Sequence, residues 1–358
     1  MSGKTFMLMA GGTGGHIFPA LAVAQALQAR GHHVVWLGSE GAMETRIVPQ
    51  YGIHLETLAI KGVRGNGLKR KLALPFTLCK TIQAARAIIK KQRVAAVIGF
   101  GGFVTFPGGV AAKLAGIPLL IHEQNAVPGL ANKVLSRWAQ RVLYAFPKVF
   151  ADESGWVGNP VRADIAALPA PAERFGARSG SLNILVVGGS LGADALNQTV
   201  PAALALLPPT QRVQISHQSG RNKLAALQAA YADRGLEADC VEFIDDMVSA
   251  YRAADVVICR AGALTIAELT AAGIGALLVP YPHAVDDHQT ANARFMVKAD
   301  AGLLLPQAEL SAEKLAAVLA GLSREQCLQW AENARTLAMP DSADVVAQMA
   351  IAALKTNA

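Results

Sequence analysis

The residues best suited to chemistry lie in a short glycine-rich segment near the N-terminus. Residues 11–16 hold four glycines around Thr13 and end in His16. Because glycine has no side chain, a ligand can reach the backbone N–H groups of such a turn, and the start of a helix favours an anion there. His16 has an imidazole suited to general base catalysis near neutral pH. The segment therefore predicts either a phosphate-contacting site with a base or an ordinary tight turn with a solvent-facing histidine.

A predicted strand and a predicted helix hold this segment in place. Phe6–Ala10 is a short apolar run before it, and apolar residues recur at helical spacing from Pro19 to Arg30, where Gly31 ends the pattern. Strand and helix patterns alternate in the same way through the first 160 residues. This alternation predicts βαβ units and a parallel sheet.

The alternation restarts in the second half of the chain. A stretch rich in Pro, Gly, Ser and Ala at 169–181 precedes an apolar strand at 183–187, a glycine turn at 188–192 and a helix. The length of 358 residues also exceeds the size, about 250 to 300 residues, at which one core stops growing. We therefore predict an α/β protein with two Rossmann-like domains, whose parallel sheets face a ligand cleft.

The composition favours strands that helices cover on both faces, since 52% of the residues are hydrophobic and 16% are charged. No apolar run reaches the roughly 18 residues that cross a bilayer, and no signal peptide is recognisable, so we expect a cytoplasmic protein. The four cysteines are scattered without metal-ligand spacing and are expected to be small buried hydrophobic residues.

The charge is divided unevenly between the two halves. The net charge is +7, but residues 1–160 hold 18 Lys and Arg against 6 Asp and Glu, whereas the remainder holds 15 against 20. The first half is therefore expected either to face something anionic, such as a membrane surface, a nucleic acid or a phosphorylated substrate, or to present an ordinary solvated charged face. Nucleic acid is the weaker expectation, because aromatic residues make up only 6% and no stacking motif accompanies the basic residues.

Glycine turns after strands also occur in dinucleotide-dependent oxidoreductases, but the motif of that class is absent. Neither 11–17 nor 188–193 spells G-x-G-x-x-G, and no Walker lysine pattern occurs. The chain contains no Asp-x-Asp either, so neither a cofactor nor a metal-held diphosphate is expected. The glycine turns are therefore expected to contact phosphate through their backbone N–H groups.

Polar side chains follow predicted strands in the second half. Glu268 lies early in a helix that begins near Gly262, and Gln289 follows a strand and a loop. Loops at the carboxyl ends of parallel strands line the ligand crevice of α/β proteins. Glu268 is therefore a candidate to bind ribose hydroxyls and Gln289 to bind a sugar, although each could equally be a solvated side chain.

Six ordered blocks along essentially the whole chain carry a specific resemblance. These blocks are Gly11–Pro19, His122–Asn125, Gly158–Arg162, Gly188–Ala193, Phe243–Met247 and Arg260–Glu268. Together they resemble the bacterial peptidoglycan transferases that add N-acetylglucosamine to undecaprenyl-diphospho-muramoyl-pentapeptide. The resemblance implies the GT-B fold, with an acceptor and membrane-facing domain at 1–162, a UDP-sugar domain at 163–340, and a C-terminal helix at 341–358 that crosses back to the first domain.

The resemblance also implies which residues bind the donor, UDP-N-acetylglucosamine. The matching positions are Thr13, Gly14, Gly15, Asn125, Arg162, Ser190, Ile244, Ala263, Leu264, Thr265, Ile266, Ala267, Glu268 and Gln289. In this scheme the backbone of Ile244 contacts uracil, Glu268 the ribose and Ser190 the diphosphate. Gln289 and Asn125 orient the sugar.

The implied reaction is an inverting displacement that turns an α-linked donor into a β(1→4) product. Such a step needs a base for the incoming muramoyl hydroxyl and a counter-charge for the departing UDP. His16 is the candidate catalytic base, and Glu123 is the alternative. Helix N-termini and Arg162 are expected to supply the counter-charge, without a metal ion.

A basic and partly apolar segment is a candidate membrane contact. Its basic residues are Lys61, Arg64, Lys69, Arg70, Lys71 and Lys80, and Leu72, Phe76, Cys79 and Ile82 recur at helical spacing among them. Spacing alone favours a core-facing stripe. The lipid-linked acceptor instead favours peripheral docking on anionic headgroups at the cytoplasmic face of the inner membrane. Other enzymes of cell-wall synthesis are further expected partners.

Two other functions fit the same residues. A different GT-B-like sugar-nucleotide enzyme, such as an epimerase or a glycolipid synthase, would share the donor site. A two-domain sugar-nucleotide-binding protein would bind the donor without turnover.

Overall fold

The computed structural model of the chain describes residues 3–60, 74–176, 178–189, 191–208, 211 and 213–355. The chain divides into two compact units, one made of Met1–Arg162 with Met339–Ala358 and the other of Ala163–Ala338. It therefore leaves the first unit after Arg162 and returns to it after Ala338. None of the described helices is both long and apolar enough to span a membrane.

The first unit is built on a six-stranded parallel sheet. Its strands are β1 (Thr5–Ala10), β2 (His33–Ser39), β3 (His54–Leu58), β4 (Val94–Gly101), β5 (Leu119–Glu123) and β6 (Arg141–Tyr144). Its helices before the crossover are α1 (Gly14–Ala29), α2 (Glu44–Ile47), α3 (Leu74–Lys91), α4 (Thr105–Leu114) and α5 (Leu130–Leu135). The strand order is β3-β2-β1-β4-β5-β6, which is the order of a Rossmann fold.

Strand β1 lies in the middle of this sheet and is buried on both faces. Phe6 and Leu8 contribute to the hydrophobic core on one face, and Met7 and Met9 contribute to the core on the other. Successive side chains of a strand point to opposite faces, so a continuous apolar run suits a strand that helices cover on both sides. This burial fixes the end of β1, and with it the start of the first glycine turn.

The second unit repeats the same architecture. Its strands are β7 (Leu182–Val187), β8 (Val213–Gln218), β9 (Asp239–Val241), β10 (Val256–Cys259), β11 (Gly275–Leu278) and β12 (Gly302–Leu304). Its helices are α6 (Ala163–Ala166), α7 (Pro171–Gly176), α8 (Asp194–Leu204), α9 (Leu224–Ala232), α10 (Met247–Ala253), α11 (Ala263–Ala272), α12 (His288–Val297), α13 (Ala312–Ala320) and α14 (Arg324–Thr336). The order β12-β11-β10-β7-β8-β9 is again that of a Rossmann fold. The predicted fold class is confirmed.

The last helix, α15 (Ser342–Ala353), belongs to the first unit. Val346 and Ala350 join the core on the face of the sheet that α1 covers. At the end of α1, Arg30 Nη1 lies 2.7 Å from the Asp344 carboxylate. The apolar stripe of α15 thus completes a core that the first 162 residues leave open.

The stretch at 169–181 contains helix α7, whose Arg174 is buried. The Arg174 guanidinium donates to the carbonyl oxygens of Tyr251 at 3.2 Å and of Ala272 at 2.7 Å. Burial, and then the nearby positive charges of other arginines, lower the pKa of Arg174 to about 10. This side chain therefore links α7 to α10 and α11.

The prediction that all cysteines are buried is wrong for Cys79. Cys259 and Cys327 are buried, whereas Cys79 is exposed on α3 and Cys240 is partly exposed. A scattered cysteine carries no periodic signal of its own, because its burial depends on which face of its element the fold covers.

Candidate active site

Each sheet reverses its strand order beside its first strand, and α/β proteins bind ligands at such switch points. In the first unit the switch point lies between β1 and β4, which pair at Ala10 and Gly101. In the second unit it lies between β7 and β10, which pair at Val187 and Cys259. Glycine-rich turns follow β1, β4 and β7, so the predicted phosphate-contacting turns lie at the two switch points.

His16 lies in the first turn of α1, just after the turn that follows β1. Its Nδ1 atom is 3.2 Å from the Gly11 carbonyl oxygen and 3.4 Å from Thr13 Oγ1. A carbonyl oxygen only accepts, so a hydrogen bond to Gly11 requires the neutral ring to carry its proton on Nδ1. Nε2 is then the basic nitrogen of the ring.

The Gly101-Gly102 turn after β4 forms a wall beside this imidazole. A Cβ atom at Gly101 would lie 2.8 Å from His16 Nε2, and one at Gly102 would lie 2.6 Å from the Gly11 carbonyl oxygen. The φ angles of 107° and 86° also favour glycine. The Thr105 hydroxyl accepts from the Gly101 N–H at 3.1 Å and donates to the Gly101 carbonyl at 2.7 Å. The two glycine turns therefore touch through their backbones and leave room for the ring.

The sequence reasoning missed Glu44, a fully buried carboxylate beneath the first glycine turn. It accepts from the N–H groups of Gly12 at 3.1 Å and of Ser39 at 2.8 Å. No motif marks Glu44, because Gly12 is 32 residues away and only the pairing of β1 with β2 brings the two together.

Glu123 is buried at the end of β5, and both of its oxygens are engaged. Oε1 accepts from the Asn125 N–H at 2.9 Å and from Asn125 Nδ2 at 3.3 Å. Oε2 accepts from the Gly129 N–H at 3.0 Å and from Asn132 Nδ2 at 2.9 Å. Glu123 therefore fixes the loop that carries Asn125.

His122 ties this loop to the segment that ends in Arg162. Its Nε2 atom lies 2.9 Å from the Gly158 carbonyl oxygen, and its Nδ1 atom lies 3.1 Å from Gln124 Nε2. Burial lowers the pKa of His122 to about 4, so the ring is neutral at pH 7 and donates from Nε2. Two of the six sequence blocks are thus joined by a buried hydrogen bond.

In the second unit, the glycine turn after β7 packs on the turn after β8. A Cβ atom at Gly192 would lie 2.0 Å from the Ser219 carbonyl oxygen. Asn197 Nδ2 donates to that oxygen at 2.9 Å, and Asn197 Oδ1 lies 3.2 Å from His217 Nε2. Burial lowers the pKa of His217 to about 4. Ser190, the predicted diphosphate contact in this turn, lies outside the described residues.

The predicted donor stretch 263–268 forms the start of α11, directly after β10. Ala263 and Ile266 are buried, whereas Leu264, Thr265, Ala267 and Glu268 are half-buried. Glu268 Oε2 accepts from the hydroxyl of the buried Tyr251 at 3.0 Å. The Glu268 carboxylate is therefore anchored to α10, a contact that its spacing in the sequence did not indicate.

Gln289 lies in the first turn of α12, and its Oε1 atom accepts from the Tyr281 N–H at 2.9 Å. This contact closes the loop between β11 and α12, in which Asp286 and Asp287 have φ angles of 53° and 49°. Ile244 is half-buried in the segment between β9 and α10.

The predicted site residues fall into two groups, one in each unit. The first group is Thr13, Gly14, Gly15, His16, Asn125 and Arg162, and the second is Ile244, residues 263–268 and Gln289. Among the described residues, no three His, Cys, Asp or Glu side chains are grouped so that they could hold a metal ion.

The two buried histidines predict a loss of stability in mild acid. Their folded pKa values of about 4 lie below the value of about 6.5 in an unfolded chain. Above pH 6.5 both states are neutral, but between pH 6.5 and 4 only the unfolded state takes up the proton, so each histidine lowers the free energy of unfolding by about 3 kcal/mol over that range.

Thermal denaturation at pH 7 and pH 5 checks this. The difference between the two midpoints is expected to be smaller in His217→Gln than in the wild type, and unchanged in His33→Gln, because His33 is exposed. Equal pH dependence in His217→Gln and the wild type would contradict the prediction.

Two Rossmann-like units, each with a glycine-rich turn at its switch point, match the architecture expected of the GT-B fold. The model of the glycosyltransferase family 28 N-terminal domain matches residues 6–144, and that of the family 28 C-terminal domain matches residues 183–348. The UDP-N-acetylglucosamine--N-acetylmuramyl-(pentapeptide) pyrophosphoryl-undecaprenol N-acetylglucosamine transferase of Neisseria meningitidis serogroup C is 76% identical, over 98% of this chain and 99% of its own. The transferase of the same name from Dechloromonas aromatica is 53% identical, over 97% and 98%.

Solved structures agree with this assignment. Acinetobacter baumannii MurG superposes with a TM-score of 0.87 at 44% identity, covering 98% of this chain and 99% of its own. The calicheamicin glycosyltransferase CalG4 has a TM-score of 0.67 at 15% identity, covering the whole of both chains, and so shares the fold alone. The chain belongs to glycosyltransferase family 28 and, within it, to the family of the undecaprenol-linked N-acetylglucosamine transferases named above. The resemblance predicted from the six blocks is confirmed.

Proposed function

We propose that the chain transfers N-acetylglucosamine from UDP-N-acetylglucosamine to the C4 hydroxyl of the muramoyl sugar of undecaprenyl-diphospho-muramoyl-pentapeptide, a step of peptidoglycan synthesis. The observation that carries this proposal is the near full-length identity of 76% to a transferase with that name. The two switch points support it, since they offer one site for each substrate.

The proposed chemistry is a single displacement with inversion. His16 Nε2 takes the proton of the acceptor hydroxyl while that oxygen bonds to the anomeric carbon, and the bond from that carbon to the UDP oxygen breaks with its electron pair. Support for His16 comes from its contact with Gly11, which makes Nε2 the basic nitrogen. Glu123 is the alternative base, but its two oxygens accept four hydrogen bonds. This arrangement suits a residue that holds its loop in place better than one that takes a proton from the substrate.

Donor recognition is assigned to the second unit, with Thr13, Gly14, Gly15, Asn125 and Arg162 contributing from the first. Glu268 would accept from ribose hydroxyls, held in position by Tyr251. Ile244 would contact uracil, Gln289 the sugar, and Ser190 with the glycine turns the diphosphate. Helix N-termini and Arg162 would stabilise the negative charge that develops on UDP. This scheme uses no metal ion and no cofactor.

Labelled donor, with and without the lipid-linked acceptor, tests the proposed function. Label is expected to move to the acceptor, and only when the acceptor is present. Isomerised free sugar would instead indicate an epimerase, and donor binding without turnover would indicate a binding protein.

We further propose that the first unit docks peripherally on an anionic membrane surface at the cytoplasmic face. Phe76 on α3 is 78% exposed, and Cys79 and Lys80 on the same helix are exposed as well. An exposed aromatic side chain beside a cation suits a headgroup interface. The other basic residues of this prediction, at 61–71, lie outside the described residues. Enzymes that make the lipid-linked acceptor or use the product are proposed partners at the same surface.

Vesicle sedimentation checks the membrane contact. At low salt, the wild type is expected to sediment with anionic vesicles and to remain largely in solution with neutral ones, because each Lys or Arg near an anionic surface contributes about 1 kcal/mol. Phe76→Ser should weaken sedimentation, whereas Leu206→Ser, at a residue 54% exposed in the second unit, should not. Equal sedimentation with both kinds of vesicle would contradict the electrostatic part.

A further inference from the structure

We propose that Glu44 is a positioning residue that acts on His16 through the peptide group between Gly11 and Gly12. The proposal rests on the proposed function in one respect, namely that His16 is the catalytic base. It gives a role to a buried carboxylate that the displacement scheme above does not use.

The Glu44 carboxylate is held by hydrogen bonds from the backbone. Glu44 is fully buried, and its oxygens accept from two backbone N–H groups, those of Gly12 and Ser39. Among the described residues, no cation forms a salt bridge with Glu44. A buried carboxylate is costly unless hydrogen bonds compensate it, so these two backbone donors are its principal stabilisation.

The Glu44 side chain fits closely against two glycines. A Cβ atom at Gly11 would lie 2.4 Å from Glu44 Oε1, and one at Gly38 would lie 2.7 Å from Glu44 Cγ. Glycine at these two positions therefore leaves room for the Glu44 side chain, with its carboxylate beside Gly11 and its Cγ atom beside Gly38. Trp36 Nε1 adds a hydrogen bond of 2.9 Å to the Ala10 carbonyl, so the end of β1 and the start of the turn are held from below.

One peptide group connects the Glu44 carboxylate to the imidazole of His16. The N–H of Gly12 donates to Glu44, and the carbonyl of Gly11 accepts from His16 Nδ1. These two groups belong to one peptide unit, which is planar and trans, so they point to opposite sides of it. A carboxylate on the N–H side polarises the unit and makes the carbonyl a better acceptor, as in other hydrogen-bond chains. Glu44 thereby favours the tautomer with the proton on Nδ1 and orients Nε2.

Glu44→Gln is the informative variant, because it keeps the size of the side chain and removes its charge and one acceptor. We expect kcat to fall by about 10-fold to 100-fold, the range that a small misplacement of a catalytic group produces, with the KM for UDP-N-acetylglucosamine within about twofold of wild type. Glu56→Gln is the matched control. Glu56 is half-buried and pairs with the exposed Lys91 at 3.0 Å in the same unit, and its variant should keep wild-type activity.

Two further measurements test the proposal, and the first of them uses only the wild type, so it applies even if Glu44→Gln folds poorly. Nitrogen NMR of His16 in the wild type should show the proton on Nδ1, and a proton on Nε2 would overturn the proposal. Comparison of Glu44→Gln in wild-type and His16→Ala backgrounds should show that most of its effect disappears without His16. An undiminished effect in the His16→Ala background would mean a purely structural role.

The kcat values of Glu44→Gln and His16→Ala distinguish a failure of the role of Glu44 from a failure of the base assignment. Wild-type kcat in Glu44→Gln, with a strongly impaired His16→Ala, would overturn the role of Glu44 alone. Wild-type kcat in His16→Ala would overturn the base assignment itself, and with it the route from Glu44.

Discussion

Replacing His16 with alanine is expected to lower kcat by about 100-fold to 10,000-fold, the usual contribution of a general base. The affinity for UDP-N-acetylglucosamine should change little, because the donor residues of the second unit are untouched. The physical reason is that His16 is the titratable side chain that the first glycine turn presents, with its Nδ1 atom bound to the Gly11 carbonyl. Steady-state kinetics with a soluble acceptor analogue, together with donor binding by calorimetry, measures both quantities.

The control for this variant is His33→Ala. His33 is exposed at the start of β2, at the opposite end of the strand from the glycine turns, so its removal should leave both quantities unchanged. A His16→Ala protein with wild-type turnover would remove His16 from the mechanism.

Gly101→Ala is expected to lower kcat by about 100-fold or more, through displacement of the imidazole. The added Cβ atom would lie 2.8 Å from His16 Nε2, and the φ angle of 107° strains any residue other than glycine. The ring would have to rotate away from the Gly11 carbonyl and lose its orientation. Kinetics and the thermal midpoint, measured on the same preparation, separate loss of the site from loss of the fold.

Gly116→Ala is the matched control for Gly101→Ala. Gly116 has a φ angle of 69° and no atom within 4 Å of an added Cβ. The Gly116→Ala variant would therefore have the backbone strain, about 1 to 2 kcal/mol, without a steric clash between the added Cβ atom and a neighbouring side chain. It should lose some stability and keep its turnover. If both variants lost turnover equally, backbone strain rather than displacement of His16 would be the cause.

His16→Ala and Gly101→Ala test the same site, the first by removing the imidazole and the second by displacing it. His16 supplies the chemistry, and Gly101 supplies the space in which the ring keeps its orientation. Glu44 adds a third influence, since it holds the peptide group that His16 contacts. The expected effects therefore depend on one short region where the ends of β1 and β4 meet.

Local patterns in the sequence were sufficient to predict the fold class. Apolar runs such as Phe6–Ala10 form strands that are buried on both faces, and the glycines at 11–15 mark the turn between a strand and a helix. These signals depend on neighbours within a few residues, so they can be detected without tertiary structure. The six blocks also identified the family, because their order along the chain is far more specific than any one turn.

The contacts that orient the candidate site depend on residues far apart in the chain. Glu44 meets Gly12 across 32 residues, His122 meets Gly158 across 36, and Tyr251 meets Glu268 across 17. No periodicity marks such partners. Strand order decides the first of these contacts, since β2 adds beside β1 and carries the start of α2 beneath the glycine turn.

The sequence alone therefore determined the class of the fold, the family and the residue types available for chemistry. Tertiary structure decided which of those residues are held in position and by what, including the contact of His16 Nδ1 with the Gly11 carbonyl and the engagement of both Glu123 oxygens. The physical reason is that propensity and periodicity act over a few residues, whereas the hydrogen-bond partners of a buried side chain are set by how separate elements pack.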